Sequence, residues 1–238
     1  MYEKGWVAAN DGNITVRLDS SHILSTPTGV SKGMMTEDDL IICDMQGNKV
    51  EGRRERTSEI LMHLTIYSIR EDVQSVVHAH PPCATGFAVA GRPLDRALLP
   101  EVIVNLGCVP LASYGLPGTP ELSETLRPFI PEYDALLMAN HGAVTYGTDL
   151  ERAFFNMETV EHFARIMLIA ELLGGAKPLN DYDVQKLVDA RARYGMPPRS
   201  GMVPGCRTAS TEEDDAGSRY VTRGELLAML DELLRVRS

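Results

Sequence analysis

Polar and apolar residues alternate over residues 13–18 (NITVRL), the pattern of a strand with one buried face. Asp19-Ser20-Ser21 turns the chain into a second strand near residues 22–25. The run DLIICD at 39–44 reads as a further buried strand, and Met45-Gln46-Gly47-Asn48 turns it back. Short antiparallel pairs of this kind argue against a pure βαβ layout. The period then changes. From about Ser58, apolar residues at Ile60, Leu61, Leu64 and Tyr67 have helical spacing, and residues 73–80 read as the next strand. Thr119-Pro120-Glu121 is a helix start, with threonine at the cap and proline at the first helical position. Residues 135–139 (ALLMA) form a buried strand and 143–146 a short one. Asp149 caps a long helix to about Leu173, and another helix covers 181–193. There is no internal repeat.

Past residue 196 the character changes. Residues 197–218 are rich in Pro, Gly, Ser and Thr and carry the acidic run 212–215, the composition of a linker. Thr222 and Glu225 make a capping box before an amphipathic stretch at 226–236. The expected organisation is one domain over 1–196 and a linker with a C-terminal helix over 197–238.

The 44 % apolar content supports a real core in this 238-residue chain. A net charge of −10 disfavours nucleic acid as a partner, because like charges repel. It does not exclude a small phosphorylated substrate, which a few backbone N–H groups can hold locally. The N-terminal residues MYEKGWVAANDGN lack the apolar run of a secretory signal, and no stretch approaches the length of a membrane span. Cys43, Cys83, Cys108 and Cys206 show no Cys-x-x-Cys pair and no spacing of a disulfide framework. A reducing cytoplasm is the expected setting.

The chemistry-bearing residues cluster in few places. His78-Ala79-His80 lies on an expected strand, where residues two apart share a face, so both imidazoles can meet one ion. Such a pair taken alone is more often two ordinary histidines than a metal site. Asn140-His141-Gly142 adds a third imidazole just after a buried strand, and three histidines leave a zinc position open, as catalytic sites do. His63 lies four residues after Glu59 and can orient a neighbour. Arg56-Thr57-Ser58-Glu59 opens a helix, where free N–H groups favour an anion. For Glu59 taken alone, complementing the helix dipole is the better reading. Asp11-Gly12-Asn13 and Ser25-Thr26-Pro27-Thr28-Gly29 are polar turns that can cradle phosphate or be turns and nothing more.

Taken together, DGNITVRL, STPTGVSKG, RTSEILMH, VVHAHPP and LLMANHGAVTYG stand in the order and approximate spacing of one family. Over residues 5–195 the chain resembles the class II aldolase/adducin family. The resemblance implies a three-layer α/β/α sandwich around a mostly antiparallel sheet, and a homotetramer with active sites between subunits. It implies zinc on His78, His80 and His141, with Glu59 as the acid/base. It also implies phosphate contacts from Asn13, Thr28, Gly29, Thr57 and Ser58, and a catalytic tyrosine at Tyr194 in RARYG. The implied reaction is cleavage of a ketose 1-phosphate to dihydroxyacetone phosphate and an aldehyde. In it the zinc ion holds the carbanion as an enediolate, a carboxylate moves the proton, and remote phosphate binding positions the carbons. Decarboxylation or dehydration of a related sugar phosphate would use the same site. Epimerase relatives carry Asp at the position of Glu59 and rank lower. So does an adducin-like scaffold, which lacks the metal site. The chain departs from the family in two places. About eleven residues precede the GN motif, where the family has a full helix. A tyrosine that one family member contributes across the interface has no counterpart in RALLPEVIVNLG.

Overall fold

Strand β1 (Asn13–Arg17) alternates as expected, but its more buried face is the polar one: Asn13 and Thr15 are 4 % and 0 % exposed. Buried polar groups need partners, and those partners turn out to build the functional site. The computed structural model describes residues 1–195 and 206–209. Strands β2 (His22–Ser25), β3 (Ile41–Asp44) and β4 (Lys49–Glu51) continue outward from β1 by antiparallel turns. Strand β3 starts two residues later than expected because Glu37–Asp39 forms a 3-10 turn, with Thr36 and Asp39 bonding one another across it.

On the other side of β1 lie β5 (Ser75–Ala79), β8 (Gly142–Gly147), β7 (Ala135–Met138) and β6 (Leu111–Ala112), giving the eight-stranded order β4-β3-β2-β1-β5-β8-β7-β6. All pairs are antiparallel except β6 with β7. One edge is the exposed Lys49-Val50-Glu51, whose charges discourage edge-to-edge pairing.

The central strands are buried on both faces. Val77, Leu137 and Ala143 pack with α2 (Pro82–Val89), α3 (Pro100–Asn105) and α5 (Leu150–Leu172). Their neighbours Val76, Leu136 and Val144 pack on the opposite side, against α1 (Ile60–Ile69) and α4 (Pro120–Leu126). Adjacent residues of one strand therefore enter different cores, and the molecule is the expected α/β/α sandwich with a mostly antiparallel sheet.

Asp149 caps α5 as expected, accepting from the Arg152 amide at 2.6 Å. Thr119 stands at the N-cap of α4, but its hydroxyl donates to the Leu116 carbonyl instead of capping. The helix expected over 181–193 is α6 (Asp181–Ala190), tightening into a 3-10 turn at Arg191–Tyr194. Helices α2 and α3 had no counterpart in the sequence reading. Each opens with proline at the first helical position and is too short to show a period.

The cysteine reading needs correction. Cys108 and Cys206 form a disulfide, with Cα atoms 5.4 Å apart across 98 residues of sequence. No local spacing reveals a pair so distant. Residues 206–209 return to the domain through Arg207 N–H to Asp95 O and Ala209 N–H to Leu179 O. Disulfides persist in oxidising surroundings, so the cysteines no longer argue for a reducing compartment. The expected capping box at Thr222 and Glu225 and the stretch 226–236 lie outside the described residues, as does most of the expected linker. Among the described residues no helix is long and apolar enough to cross a membrane.

Candidate active site

The end of β5, the residue after it and the β7–β8 turn converge. His78 and His80 share a face by the strand period, and His141 enters from the turn, following Asn140 in the left-handed region at φ 57°. Gly142 permits this approach: a Cβ there would lie 2.6 Å from the Ala79 carbonyl oxygen and from the His80 ring. The three ring centroids stand 4.7–5.1 Å apart, and one potential ligand atom from each lies within 4.8 Å of the others. His78 Nδ1–H donates to the Ala143 carbonyl at 2.9 Å, so that in the neutral ring the Nε2 lone pair faces the cluster.

Burial and the nearby His78 push the pKa of His80 down, and the same two causes take that of His141 down to about 4. Both rings are thus neutral and competent as ligands near pH 7. For His78, burial acts downward but the Glu59 carboxylate outweighs it and raises the pKa.

Glu59 stands at the N-cap of α1, its backbone N–H donating to the Thr57 hydroxyl oxygen at 3.3 Å. Its carboxylate reaches into the cluster, with Oε2 3.3 Å from His78 Nε2 and Oε1 3.3 Å from His141 Nε2. Burial alone would raise its pKa. The charges of His78 and His141 and the Asn13 amide hold it below the usual carboxylate range. Two buried atoms, Glu59 Oε1 and His141 Nδ1, have no hydrogen-bond partner. Unpaired buried polar atoms are costly. Three imidazoles with an adjoining carboxylate fit a divalent metal that keeps an open coordination position.

A chain of buried hydrogen bonds stands behind Glu59. Asn13 Nδ2 donates to Glu59 Oε2 at 2.7 Å, and Asn13 Oδ1 is bonded by His63 Nε2. An amide oxygen only accepts, so His63 carries its proton on Nε2 and its Nδ1 accepts from the Thr15 hydroxyl at 2.8 Å. Thr15 in turn accepts from Tyr67 Oη at 2.9 Å. The order of donors fixes which end of the Asn13 amide faces the carboxylate.

Burial, aided by the His78 charge and opposed by Glu59, brings the His63 pKa from 6.5 down to about 3. Since the folded value is depressed, the stability this ring contributes is complete above about pH 6.5 and is lost as pH falls through about 3. NMR of the His63 ring between pH 5 and 8 is therefore expected to show one unchanging neutral Nε2–H tautomer. A midpoint near 6.5 would contradict the buried relay.

The loop that follows β2 meets the approach to α1 through an antiparallel bridge between Pro27 and Arg56, which sets Thr28 beside Glu55. Thr28, Gly29 and Ser58 are exposed and Thr57 is buried. The Thr28 amide is already used by the Glu55 carbonyl. Gly29 has φ 69° and open space where a side chain would stand. The Asn13 side chain is engaged with Glu59 and His63. Tyr194 is not brought to the cluster of its own chain. It is 66 % exposed, and the adjoining Gly195 lines a hollow with Tyr146 and Gly147, at the end of β8 remote from His141.

Thr15 and Lys32 were not singled out in the sequence, and Asp11 was named only as part of a turn. Thr15 completes the relay. Asp11 stands 3.5 Å from His80 Nδ1, and Lys32 lies in the fields of Asp11 and Glu59. Asp11 and Lys32 fall within quoted motifs, and their place beside DGN and TPTG was the available signal.

Residues 1–168 match the family model described as Class II Aldolase and Adducin N-terminal domain. An L-fuculose phosphate aldolase of Methanococcus maripaludis is 33 % identical over 169 residues, 71 % of this chain and 91 % of the relative. A 3-oxo-tetronate 4-phosphate decarboxylase of Haemophilus influenzae is 32 % identical, over 69 % of this chain and 80 % of the relative. A solved L-fuculose 1-phosphate aldolase superposes with a TM-score of 0.74 at 31 % identity, covering 82 % of this chain and 90 % of the other.

Proposed function

Since this chain belongs to the class II aldolase and adducin family, we propose that it is a zinc-dependent lyase that cleaves a ketose 1-phosphate, fuculose-phosphate-like, to dihydroxyacetone phosphate and an aldehyde. The observation that carries this reading is the meeting of His78, His80 and His141 with a carboxylate 3.3 Å from two of them.

His78, His80 and His141 hold the metal. When bound, it supplies Lewis-acid polarisation of a carbonyl, which lowers the cost of charge on the adjoining carbon. Glu59 is the proton carrier. As the hydroxyl that becomes the aldehyde gives up its proton, Glu59 returns one to the carbon freed by cleavage; in the reverse direction Glu59 takes the proton from the carbon beside the ketone and the aldehyde oxygen gains one. Asn13 holds one carboxylate oxygen in place, leaving the other free for that exchange. Thr28, Gly29, Thr57, Ser58 and the second Asn13 amide hydrogen bind the phosphate, so that remote binding energy positions the reacting bond.

Tyr194 serves the aldehyde oxygen in a neighbouring copy, since it stands away from its own cluster. This requires an oligomer, and we infer a homotetramer. Phe155, Leu168, Ile169 and Leu172, exposed along α5, are apolar surface suited to an interface. Light scattering at micromolar concentration should report four chains, and a monomer would refute the assembly.

A second reading has its own support in the Haemophilus relative: decarboxylation of a phosphorylated 3-oxo acid, which leaves the same kind of carbanion. Both readings share the phosphate loops. Thr57→Ala with Ser58→Ala should leave zinc content unchanged and raise KM for a phosphorylated substrate at least about tenfold, given roughly 1.5–3 kcal/mol for each hydrogen bond to a charged group. An unphosphorylated analogue should be little affected. Equal effects on both would show that the loops hold something else. Assay of ketose 1-phosphates beside 3-oxo acid phosphates decides between the two reactions.

A further inference from the structure

The loops assigned to phosphate offer neutral donors, yet a cation stands at their edge. Lys32 follows the TPTGV turn and is half-buried. Its Nζ donates to the Asn10 carbonyl at 3.0 Å and to the Val30 carbonyl at 3.2 Å. Asn10 leads into Asp11-Gly12-Asn13, and Val30 adjoins Gly29, so the ammonium ties together the two loops that flank the site. The aliphatic stem lies along a hollow of about 530 Å³ whose wall includes Ile14, Met35 and Phe154, and the charged head stays with the polar loops.

An ammonium has three donors. Two are used here, on carbonyls that carry no charge. Among the described residues Lys32 has no ion-pair partner within 4.0 Å, although Asp11 and Glu59 contribute to its field from further away. A half-buried cation held by neutral groups, with one hydrogen unspent, is arranged for an anion that arrives with the substrate. Burial lowers the pKa of the ammonium while the two carboxylates work against that, so the charge is sustained by its surroundings.

We propose that Lys32 is a specificity-determining residue that gives its third N–H and its charge to the substrate phosphate at the Gly29–Val30 turn. This rests on the phosphate-loop reading above and adds an ionic contact to it. Its consequence is discrimination between a phosphorylated ketose and the same ketose without phosphate.

The test is binding of dihydroxyacetone phosphate and of phosphate-free dihydroxyacetone, measured by competition on zinc-loaded full-length protein. Lys32→Met should weaken dihydroxyacetone phosphate about 10- to 100-fold. It should leave dihydroxyacetone and zinc content unchanged, and Lys32→Arg should recover most of the loss. Should Lys32→Met not fold, Lys32→Gln keeps a neutral donor for the loop carbonyls and removes only the charge. Equal weakening of both ligands would mean that Lys32 merely props the loops, and would overturn the proposal. If Lys32→Met has no effect while the Thr57→Ala/Ser58→Ala pair weakens dihydroxyacetone phosphate, the phosphate loops stand and Lys32 is excluded. If neither variant changes binding, both assignments fall.

Discussion

Glu59→Gln should retain its metal and lose roughly 10²–10⁴-fold in kcat, the range for removal of a positioned proton carrier. The substitution preserves size and keeps one oxygen to accept from Asn13 Nδ2, so the relay through His63 and Thr15 survives. It removes the negative charge that lies 3.3 Å from His78 Nε2 and from His141 Nε2. Metal affinity should change much less than turnover, because the three imidazoles remain. The check is kcat beside metal content on the same preparation. Turnover within a few-fold of wild type would remove Glu59 from the chemistry. Loss of metal together with activity would recast it as chiefly a ligand.

The other large effect is expected at His141. Its ring is reached from the β7–β8 turn and lies at the border of the core, whereas His78 is fully buried within the sheet. His141→Ala is therefore the ligand deletion with the least risk to the fold. Replacing a mere partner of a metal ligand costs about 10–100-fold in metal affinity, and deleting one of three ligands should exceed that. The purified variant is expected to hold less than a tenth of an equivalent of metal, on the order of that penalty, and to show no cleavage above background. Unchanged metal content would place the ion elsewhere. A circular dichroism spectrum that matches wild type separates loss of the site from loss of the fold.

The histidine cluster was legible in part from two short-range rules, and the meeting of its two pieces only from motifs in a known order. A strand puts residues two apart on one face, and a turn after a buried strand presents its residues at the sheet end. Glu59 was legible from its place at a helix start beside motifs in a known order. The burial of β1 was not. Alternation in NITVRL marks a strand with two unlike faces but does not say which face is covered. Here Asn13 and Thr15 are covered because Glu59, His63 and Tyr67 wait to bond them. Helices α2 and α3 were missed because eight and six residues complete too few turns to show a period. The Cys108–Cys206 bond joins positions 98 residues apart, a distance over which no local pattern operates. Tyr194 matched a motif in sequence yet lies at the end of β8 remote from His141, because a motif carries no information on where the fold places it.

Carbon–carbon cleavage should depend on the three-histidine cluster. The direct measurement is release of dihydroxyacetone phosphate from a panel of ketose 1-phosphates, fuculose 1-phosphate among them, before and after a chelator and again after zinc is returned. The account predicts release that the chelator abolishes and zinc restores. Release that continues undiminished in fully metal-stripped protein, or no release from any ketose 1-phosphate by protein carrying a full equivalent of zinc, would contradict it.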